Sequence, residues 1–137
     1  MEIRKGRHVV FELHAHIVFV TKYRKKVFDP DALDKLKRIF RIVCADFEAD
    51  LKDFNGGGDH VHLLVNYPPK TCLSNLVNSL KGVSSRRLKV EKIDFQKKCY
   101  NGALWSPSYF VGSLGGAPLS ALKTYIQSER GGASSPN

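Results

Sequence analysis

Residues 9–20 read VVFELHAHIVFV, a run in which every second residue is apolar. Successive side chains of a β-strand point to opposite faces, so this alternation predicts a strand over residues 9–20. The opposite face carries His14 and His16 beside two valines. The face expected in the core consists of Phe11, Leu13, Ala15, Ile17 and Phe19.

Further strands and helices follow along the chain. A helix is predicted to begin at Asp29-Pro30, after which apolar residues recur at helical spacing. The order of the elements predicts an α+β, ferredoxin-like antiparallel sheet with helices on one face, plus a C-terminal helix carrying a tyrosine. We expect residues 1–130 to form a single domain and residues 131–137 to be a disordered tail. The other strands are predicted at 51–54, 60–67 and 108–114, and the other helices at 73–90 and 118–129.

The composition is that of a small basic protein. The chain has 137 residues, 42% of them hydrophobic, which is enough for one core. Lys and Arg number 22 and Asp and Glu 13, so the net charge is +9. Such a surplus favours an anionic polymer as partner, although a basic protein without such a partner has the same composition.

The same sequence argues against several classes of protein. The longest apolar runs, such as residues 17–20, are far shorter than the about 20 residues that span a bilayer, so no membrane contact is expected. Residues 1–14 lack the apolar region of a secretory signal. Cys44, Cys72 and Cys99 are odd in number and widely spaced. This predicts reduced core thiols in a cytoplasmic protein rather than disulfides or a zinc site.

The segment His60-Val61-His62 is the first candidate site. On a strand both imidazoles project from one face while Val61 enters the core. Two neutral imidazoles at this separation can bind one divalent metal ion, and the alternative is a pair of surface histidines beside a core valine. His14 and His16 repeat the pattern on the neighbouring strand. They either complete a four-histidine site or flank the first pair through hydrogen bonds, and we do not assign them as ligands.

Tyr125 and Glu129 form the second candidate site. They lie four residues apart, so they share a face of the predicted C-terminal helix. A tyrosine hydroxyl needs a nearby metal or base to attack phosphorus, and a carboxylate one turn away could help to hold that metal. The alternative is a surface tyrosine and a solvated glutamate.

Basic and aromatic residues are interleaved in several segments. Residues 22–26 read KYRKK, basic residues recur over 81–89, and residues 105–110 read WSPSYF. This mixture suits single-stranded nucleic acid, whose bases stack on aromatic rings, although the aromatic residues could equally be core. The glycine turn at 56–58 lacks the lysine and following helix of a phosphate-binding loop, so no nucleotide cofactor is expected.

Five ordered blocks cover nearly the whole chain: 16–24, 59–65, 80–82 with 84–87, 104–109 and 125–127. Together they resemble the single-strand DNA transposases of the insertion-sequence 200/605 family. These are the one-tyrosine members of the HUH (His-hydrophobic-His) nucleases, and relatives associated with repetitive extragenic palindromes are similar too. A single His-hydrophobic-His motif is weakly specific, whereas five blocks in order are strongly so.

The resemblance implies a metal-dependent tyrosine transposase. His60, His62 and Glu129 would hold one Mg²⁺ or Mn²⁺, and Tyr125 would attack the scissile phosphate. The products would be a 5′-phosphotyrosine and a free 3′-OH, which can be rejoined without ATP. The family usually carries Gln at the place of Glu129. Because a carboxylate is the better ligand for these ions, we expect metal binding to be retained.

The resemblance also implies the partners. The family's enzymes are homodimers that recognise DNA hairpins near element ends, and the tyrosine helix of one subunit completes the active site of the other. Gly115-Gly116 would let that helix reach either site. Two rival functions are a non-catalytic module on the same fold that binds single-stranded DNA or RNA, and a metal-dependent hydrolase of small phosphate esters. DNA contacts are expected from five basic residues: Lys22, Arg24, Lys81, Arg86 and Arg87.

Overall fold

The computed structural model describes residues 3–5, 10–99 and 102–113. A 3-10 turn lies at Lys22–Arg24. The helices are α1 (Pro30–Asp46), α2 (Leu73–Glu91) and α3 (Phe95–Lys98). The strands are β1 (Arg4–Lys5), β2 (Val10–Phe11), β3 (His14–Val20), β4 (Asp50–Gly56), β5 (His60–Asn66) and β6 (Phe110–Ser113).

Four of these strands form one antiparallel sheet in the order β4-β5-β3-β6. The central strands β3 and β5 pair from His14 opposite Asn66 to Val20 opposite His60. Strand β6 pairs with β3, and β4 pairs with β5. The predicted ferredoxin-like α+β arrangement is therefore confirmed. The C-terminal helix predicted at 118–129 lies outside the described residues.

Both long helices pack on one face of this sheet. Helix α1 begins where predicted, because Pro30 occupies its first turn and the Asp29 carboxylate accepts a 2.8 Å hydrogen bond from the Ala32 amide. The buried side of α1 joins that of α2 and the sheet in one core. The sheet contributes alternate residues to this core, so the intervening histidines lie on the face opposite to the helices. The contributing residues are Ala15, Ile17, Phe19, Val61, Leu63 and Val65.

The first strand is shorter than the sequence predicts. Instead of one strand over 9–20, the chain forms β2 and β3, and β2 pairs with β1 in a separate two-stranded sheet. Arg4 fastens this small sheet to the body. Its guanidinium donates a 2.9 Å hydrogen bond to the Glu48 carbonyl and lies over the Phe11 ring. Periodicity alone does not reveal the break, because both pieces keep the same alternation.

Strand β4 forms an edge of the sheet and is irregular. The pairing register with β5 shifts between Leu51 and Asp53, which leaves Lys52 at a β-bulge. Asp50, Lys52 and Asp53 are all exposed. The strand is longer than the predicted 51–54. The sequence pattern did not predict the added residues because they are polar and show no apolar alternation.

The segment after α2 contains one element that the sequence did not predict, the short helix α3. Beyond it, Trp105 is buried and forms an isolated bridge with Thr21. Its indole N–H donates a 3.0 Å hydrogen bond to the hydroxyl of Ser84. Trp105 therefore belongs to the core, whereas Tyr109, four residues on, is 37% exposed.

The three cysteines are free, and two of them are buried. Burial, with a smaller effect of Asp50, raises the pKa of Cys44 to about 12. The prediction of a core thiol is wrong for Cys72, which lies exposed directly before α2. Within the described ranges, no helix is long and apolar enough to span a membrane.

Candidate metal and DNA site

Strand β5 presents His60 and His62 on the sheet face opposite to the helices, as the alternation predicts. Val61 between them is fully buried in the core. His62 pairs with Val18 of β3 on one side and with Asn55 of β4 on the other. Both histidines are half-buried, so their rings are held by neighbours and still reach the surface.

The imidazole of His60 is bonded to the residue that precedes it. Oδ1 of Asp59 lies 2.9 Å from Nδ1 of His60, and Oδ2 of Asp59 accepts a 2.9 Å hydrogen bond from Nε of Arg24. Burial alone would raise the pKa of Asp59. The hydrogen bonds from Arg24 and His60 outweigh that effect and hold the pKa below its ordinary value. Asp59 is not among the predicted site residues, although its position directly before the histidine pair is a signal in the sequence.

The backbone fastens this region to the preceding loop. The amide of Thr21 donates a 2.9 Å hydrogen bond to the Asp59 carbonyl, and the Thr21 hydroxyl donates a 2.7 Å hydrogen bond to the Lys25 carbonyl. The amides of Val27 and Phe28 both donate to the Gly58 carbonyl, at 2.9 and 3.0 Å. Residues 21–28 are therefore attached at both ends to the turn between β4 and β5.

The basic run in this loop is divided between the inside and the outside of the molecule. Tyr23 and Arg24 both have left-handed backbone angles, with φ of 56° and 55°. Arg24 turns inward and is buried, while Tyr23 is 40% exposed. Lys25 and Lys26 are exposed as well. Basic residues that are adjacent in the sequence thus have different surroundings.

Gly57 leaves room for the ring of His60. A Cβ atom at Gly57 would lie only 2.9 Å from Cε1 and 3.4 Å from Nδ1 of His60. Any side chain at this position would displace the imidazole from its place beside Asp59. The ring of His60 therefore gives a steric reason for a glycine at position 57.

His62 is electrostatically suited to stay neutral. Burial lowers its pKa, and the nearby His60 and His16 lower it further, against an opposing effect of Asp53. A lowered pKa keeps the imidazole unprotonated at neutral pH. An unprotonated imidazole has a lone pair for a metal ion.

The histidines of β3 have different surroundings. Nε2 of His14 lies 3.3 Å from the side-chain amide of Asn66, which also donates to the Leu13 carbonyl at 3.2 Å. His16 is half-buried and lies on the same face as His62. Among the residues that the structure describes, no three His, Cys, Asp or Glu side chains are placed to hold a metal ion. The described histidines therefore form no four-histidine site, and any third protein ligand would lie outside the described residues.

The predicted DNA contacts occupy different environments. The ammonium of Lys81 donates to the carbonyls of Ser106 and Pro107 at 2.7 and 3.2 Å, and burial lowers its pKa. Lys22 is half-exposed. Arg86 is exposed, and Arg87 lies 3.7 Å from Glu91. DNA contacts by these residues and by Arg24 stay predictions.

The second candidate site belongs to the C-terminal part of the chain. Tyr125, Glu129, the Gly115-Gly116 joint and the tail at 131–137 all lie outside the described residues. Their roles, and the assignment of residues 1–130 to one domain, stay predictions.

Known DNA transposases are similar to this chain over almost its whole length. The family model described as "Transposase IS200 like" matches residues 9–129. The ISDra2 transposase TnpA of Deinococcus radiodurans is 33% identical over 129 residues, which are 94% of this chain and 92% of that protein. The chain therefore belongs to the IS200-like transposase family.

Solved structures agree with this assignment. One from Deinococcus radiodurans R1 has a TM-score of 0.85 at 31% identity, covering 92% of this chain and 97% of that one. A REP-associated tyrosine transposase bound to a REP hairpin has a TM-score of 0.57 at 9% identity, covering 91% of this chain and 69% of that one. The second likeness shows that the fold is shared.

Proposed function

We propose that this transposase cuts and rejoins single-stranded DNA at insertion-sequence ends, in a metal-dependent reaction with a covalent tyrosine intermediate. The observation that carries the proposal is the histidine pair of β5. The two imidazoles lie on one sheet face, and the buried carboxylate of Asp59 is hydrogen-bonded to the first of them. The chain that carries them belongs to a transposase family.

The donor groups fit a divalent cation. We propose that His60 and His62 supply two nitrogen ligands and Glu129 a carboxylate oxygen to one Mg²⁺ or Mn²⁺. The hydrogen bond between Asp59 and His60 is the kind that metal-ligating histidines make, which supports this assignment. Two imidazoles with one carboxylate suit Mn²⁺ better than Mg²⁺, which prefers oxygen ligands. When bound, the ion polarises the scissile phosphate and stabilises charge on the leaving oxygen.

Tyr125 is the proposed nucleophile. Its hydroxyl oxygen attacks the phosphorus and gives up its proton to solvent, so that a tyrosine–phosphate bond forms at the 5′ side. The bond from phosphorus to the 3′-oxygen breaks, and that oxygen takes up a proton as a 3′-OH. One phosphodiester linkage replaces another, so attack by a 3′-OH on the phosphotyrosine rejoins DNA without ATP.

The proposed ligand is a DNA hairpin at the element end. The REP-associated transposase of the same fold was solved with a REP hairpin, which supports a structured single strand as the ligand here. The net charge of +9 favours the same partner. We further propose a homodimer in which the tyrosine helix acts in the partner's site, and a cytoplasmic location.

Labelled single-stranded hairpin DNA with Mg²⁺ or Mn²⁺ tests this function. We expect a covalent protein–DNA adduct that survives denaturation. Tyr125→Phe should abolish the adduct and cleavage but keep hairpin binding within about 3-fold, since the aromatic ring remains. Tyr109→Phe removes the same group from an exposed tyrosine and serves as the matched control.

Other outcomes would select the rival functions. Tight hairpin binding with no adduct in the wild type would indicate a non-catalytic module. Turnover of p-nitrophenyl phosphate without an adduct would indicate a hydrolase of small esters. Cleavage by Tyr125→Phe at the wild-type rate would show that Tyr125 is not the nucleophile.

A further inference from the structure

Arg24, Asp59 and His60 form a continuous chain of hydrogen bonds behind the histidine pair. We propose that Arg24 and Asp59 are positioning residues that hold His60 in its Nδ1–H tautomer, so that Nε2 is the atom left to bind a metal ion. This inference rests on the metal site of the proposed function. It gives a role to Asp59 and a structural role to Arg24.

The geometry determines which atom donates in each bond. An ionised carboxylate accepts hydrogen bonds and donates none. Oδ2 of Asp59 accepts from Nε of Arg24, so Oδ1 must accept from Nδ1 of His60, and both distances are 2.9 Å. A neutral imidazole carries one proton. With that proton on Nδ1, the lone pair is on Nε2.

The surroundings hold this arrangement in place. The side chains of Arg24 and Asp59 are only 5% and 12% exposed, whereas that of His60 is 29% exposed. The ring of His60 lies beside Gly57, where a side chain would collide with it. The Asp59 carbonyl is held by Thr21, which keeps the backbone of the carboxylate fixed.

The backbone of Arg24 supports an inward role for this residue. A φ of 55° is uncommon for a residue other than glycine, and here it directs the guanidinium to Asp59. The next residue, Lys25, is exposed, whereas the carboxylate of Asp59 bonds to the guanidinium of Arg24 and the imidazole of His60. Lys25 is therefore a matched control, with the same charge in the same loop.

One isosteric substitution distinguishes positioning from simple packing. In Asp59→Asn, the Arg24 N–H selects the amide oxygen, so the amide NH₂ must face Nδ1 of His60. An amide NH₂ only donates, so Nδ1 must accept and the imidazole proton moves to Nε2. The lone pair of Nε2 is then lost. We expect the Mn²⁺ affinity to fall about 10- to 100-fold, the range for residues that orient metal ligands.

A second substitution should partly reverse the first. In Arg24→Met combined with Asp59→Asn, no N–H fixes the amide, which is free to turn its oxygen toward His60. The Nδ1–H tautomer should return, and Mn²⁺ should bind more tightly than to Asp59→Asn alone. If Arg24 and Asp59 only stabilised the fold, the double variant would bind Mn²⁺ more weakly than Asp59→Asn alone.

The experiment measures the two nitrogen resonances of His60 by ¹⁵N NMR in the metal-free protein, and Mn²⁺ affinity by calorimetry. We expect Nδ1–H in the wild type and in Lys25→Met, Nε2–H in Asp59→Asn, and recovery in the double variant. A wild type with Nε2–H, an Asp59→Asn protein with wild-type tautomer and affinity, or a double variant without recovery would overturn the proposal. If each protein shows its expected tautomer but the wild type does not bind Mn²⁺, the positioning role is supported and the metal site is overturned.

Discussion

Strands β3 and β5 lie side by side, and each carries two histidines on the same sheet face. In β3, His14 is buried, and its ring nitrogen contacts the Asn66 amide inside the protein. In β5, the ring of His60 is partly exposed, and its inner nitrogen is bonded to a carboxylate. The outer nitrogen of His60, Nε2, is therefore available to a ligand.

The comparison shows that the pattern His-X-His does not define a site by itself. Both patterns bury the middle residue, Ala15 or Val61, so both satisfy the same alternation. The hydrogen-bond partners differ, an amide that donates in one strand and a carboxylate that accepts in the other. The partner decides whether a histidine stabilises the fold or is prepared for chemistry.

The largest expected effect compares alanine substitutions in the two strands. His60→Ala and His62→Ala should each lower hairpin cleavage by at least about 10³-fold, because bound metal contributes several kcal/mol to such reactions. His16→Ala, on the same face, should change the rate far less. Single-turnover cleavage of labelled DNA measures both. An equal loss in His16→Ala would mean that the two strands form one site.

The third ligand gives the next largest effect. Glu129→Ala removes the proposed oxygen donor, so it should raise the Mn²⁺ concentration needed for half-maximal cleavage by about 10- to 100-fold. Glu129→Gln restores the amide usual in the family and should lose less than Ala at every concentration. Superimposable titration curves for the wild type and both variants would show that Glu129 is no ligand.

The buried histidine of β3 should affect stability rather than metal binding. His14→Ala leaves the Asn66 amide without its imidazole acceptor and opens a cavity, which we expect to cost about 2 kcal/mol of unfolding free energy. Urea unfolding measures this loss. Mn²⁺ affinity should match that of the wild type, and a loss of affinity as large as in His60→Ala would contradict the contrast between the strands.

The smallest effect is expected in the salt dependence of hairpin binding. With roughly five phosphate contacts, the log–log slope for a single strand should be about −3 to −4. The slope should be the same in His60→Ala and His16→Ala, because neither residue is among the basic residues expected to contact phosphates. Binding measured without metal over a range of salt checks this. A slope near zero would contradict nucleic-acid binding.

The sequence predicted the sheet and the position of the histidine pair because both depend on local periodicity. Strands β3 and β5 and helices α1 and α2 contain long apolar patterns, and Asp29-Pro30 marks a helix start within one residue. The order of these elements leaves few topologies to choose from. The predicted face of His60 and His62 follows from the same alternation.

The rest depends on contacts between distant residues, which local patterns do not encode. The separation of β2 from β3 accompanies the Arg4 contacts with Glu48 and Phe11. The inward turn of Arg24 follows from a left-handed backbone and from Asp59, 35 residues away. A run of basic residues in the sequence gives no sign that one of them is buried, because the ion pair between Arg24 and Asp59 forms only in the folded chain.

The bulge in β4 has a consequence for association between copies of this protein. An unpaired sheet edge can recruit a strand from another molecule, which leads to aggregation. Here the edge is interrupted between Leu51 and Asp53, and it exposes the charged side chains of Asp50, Lys52 and Asp53. A strand from another molecule could not continue the hydrogen-bond ladder across that interruption, and it would have to pack beside these charged side chains. The interrupted and charged edge of β4 therefore disfavours the addition of a strand from another molecule at this side of the sheet.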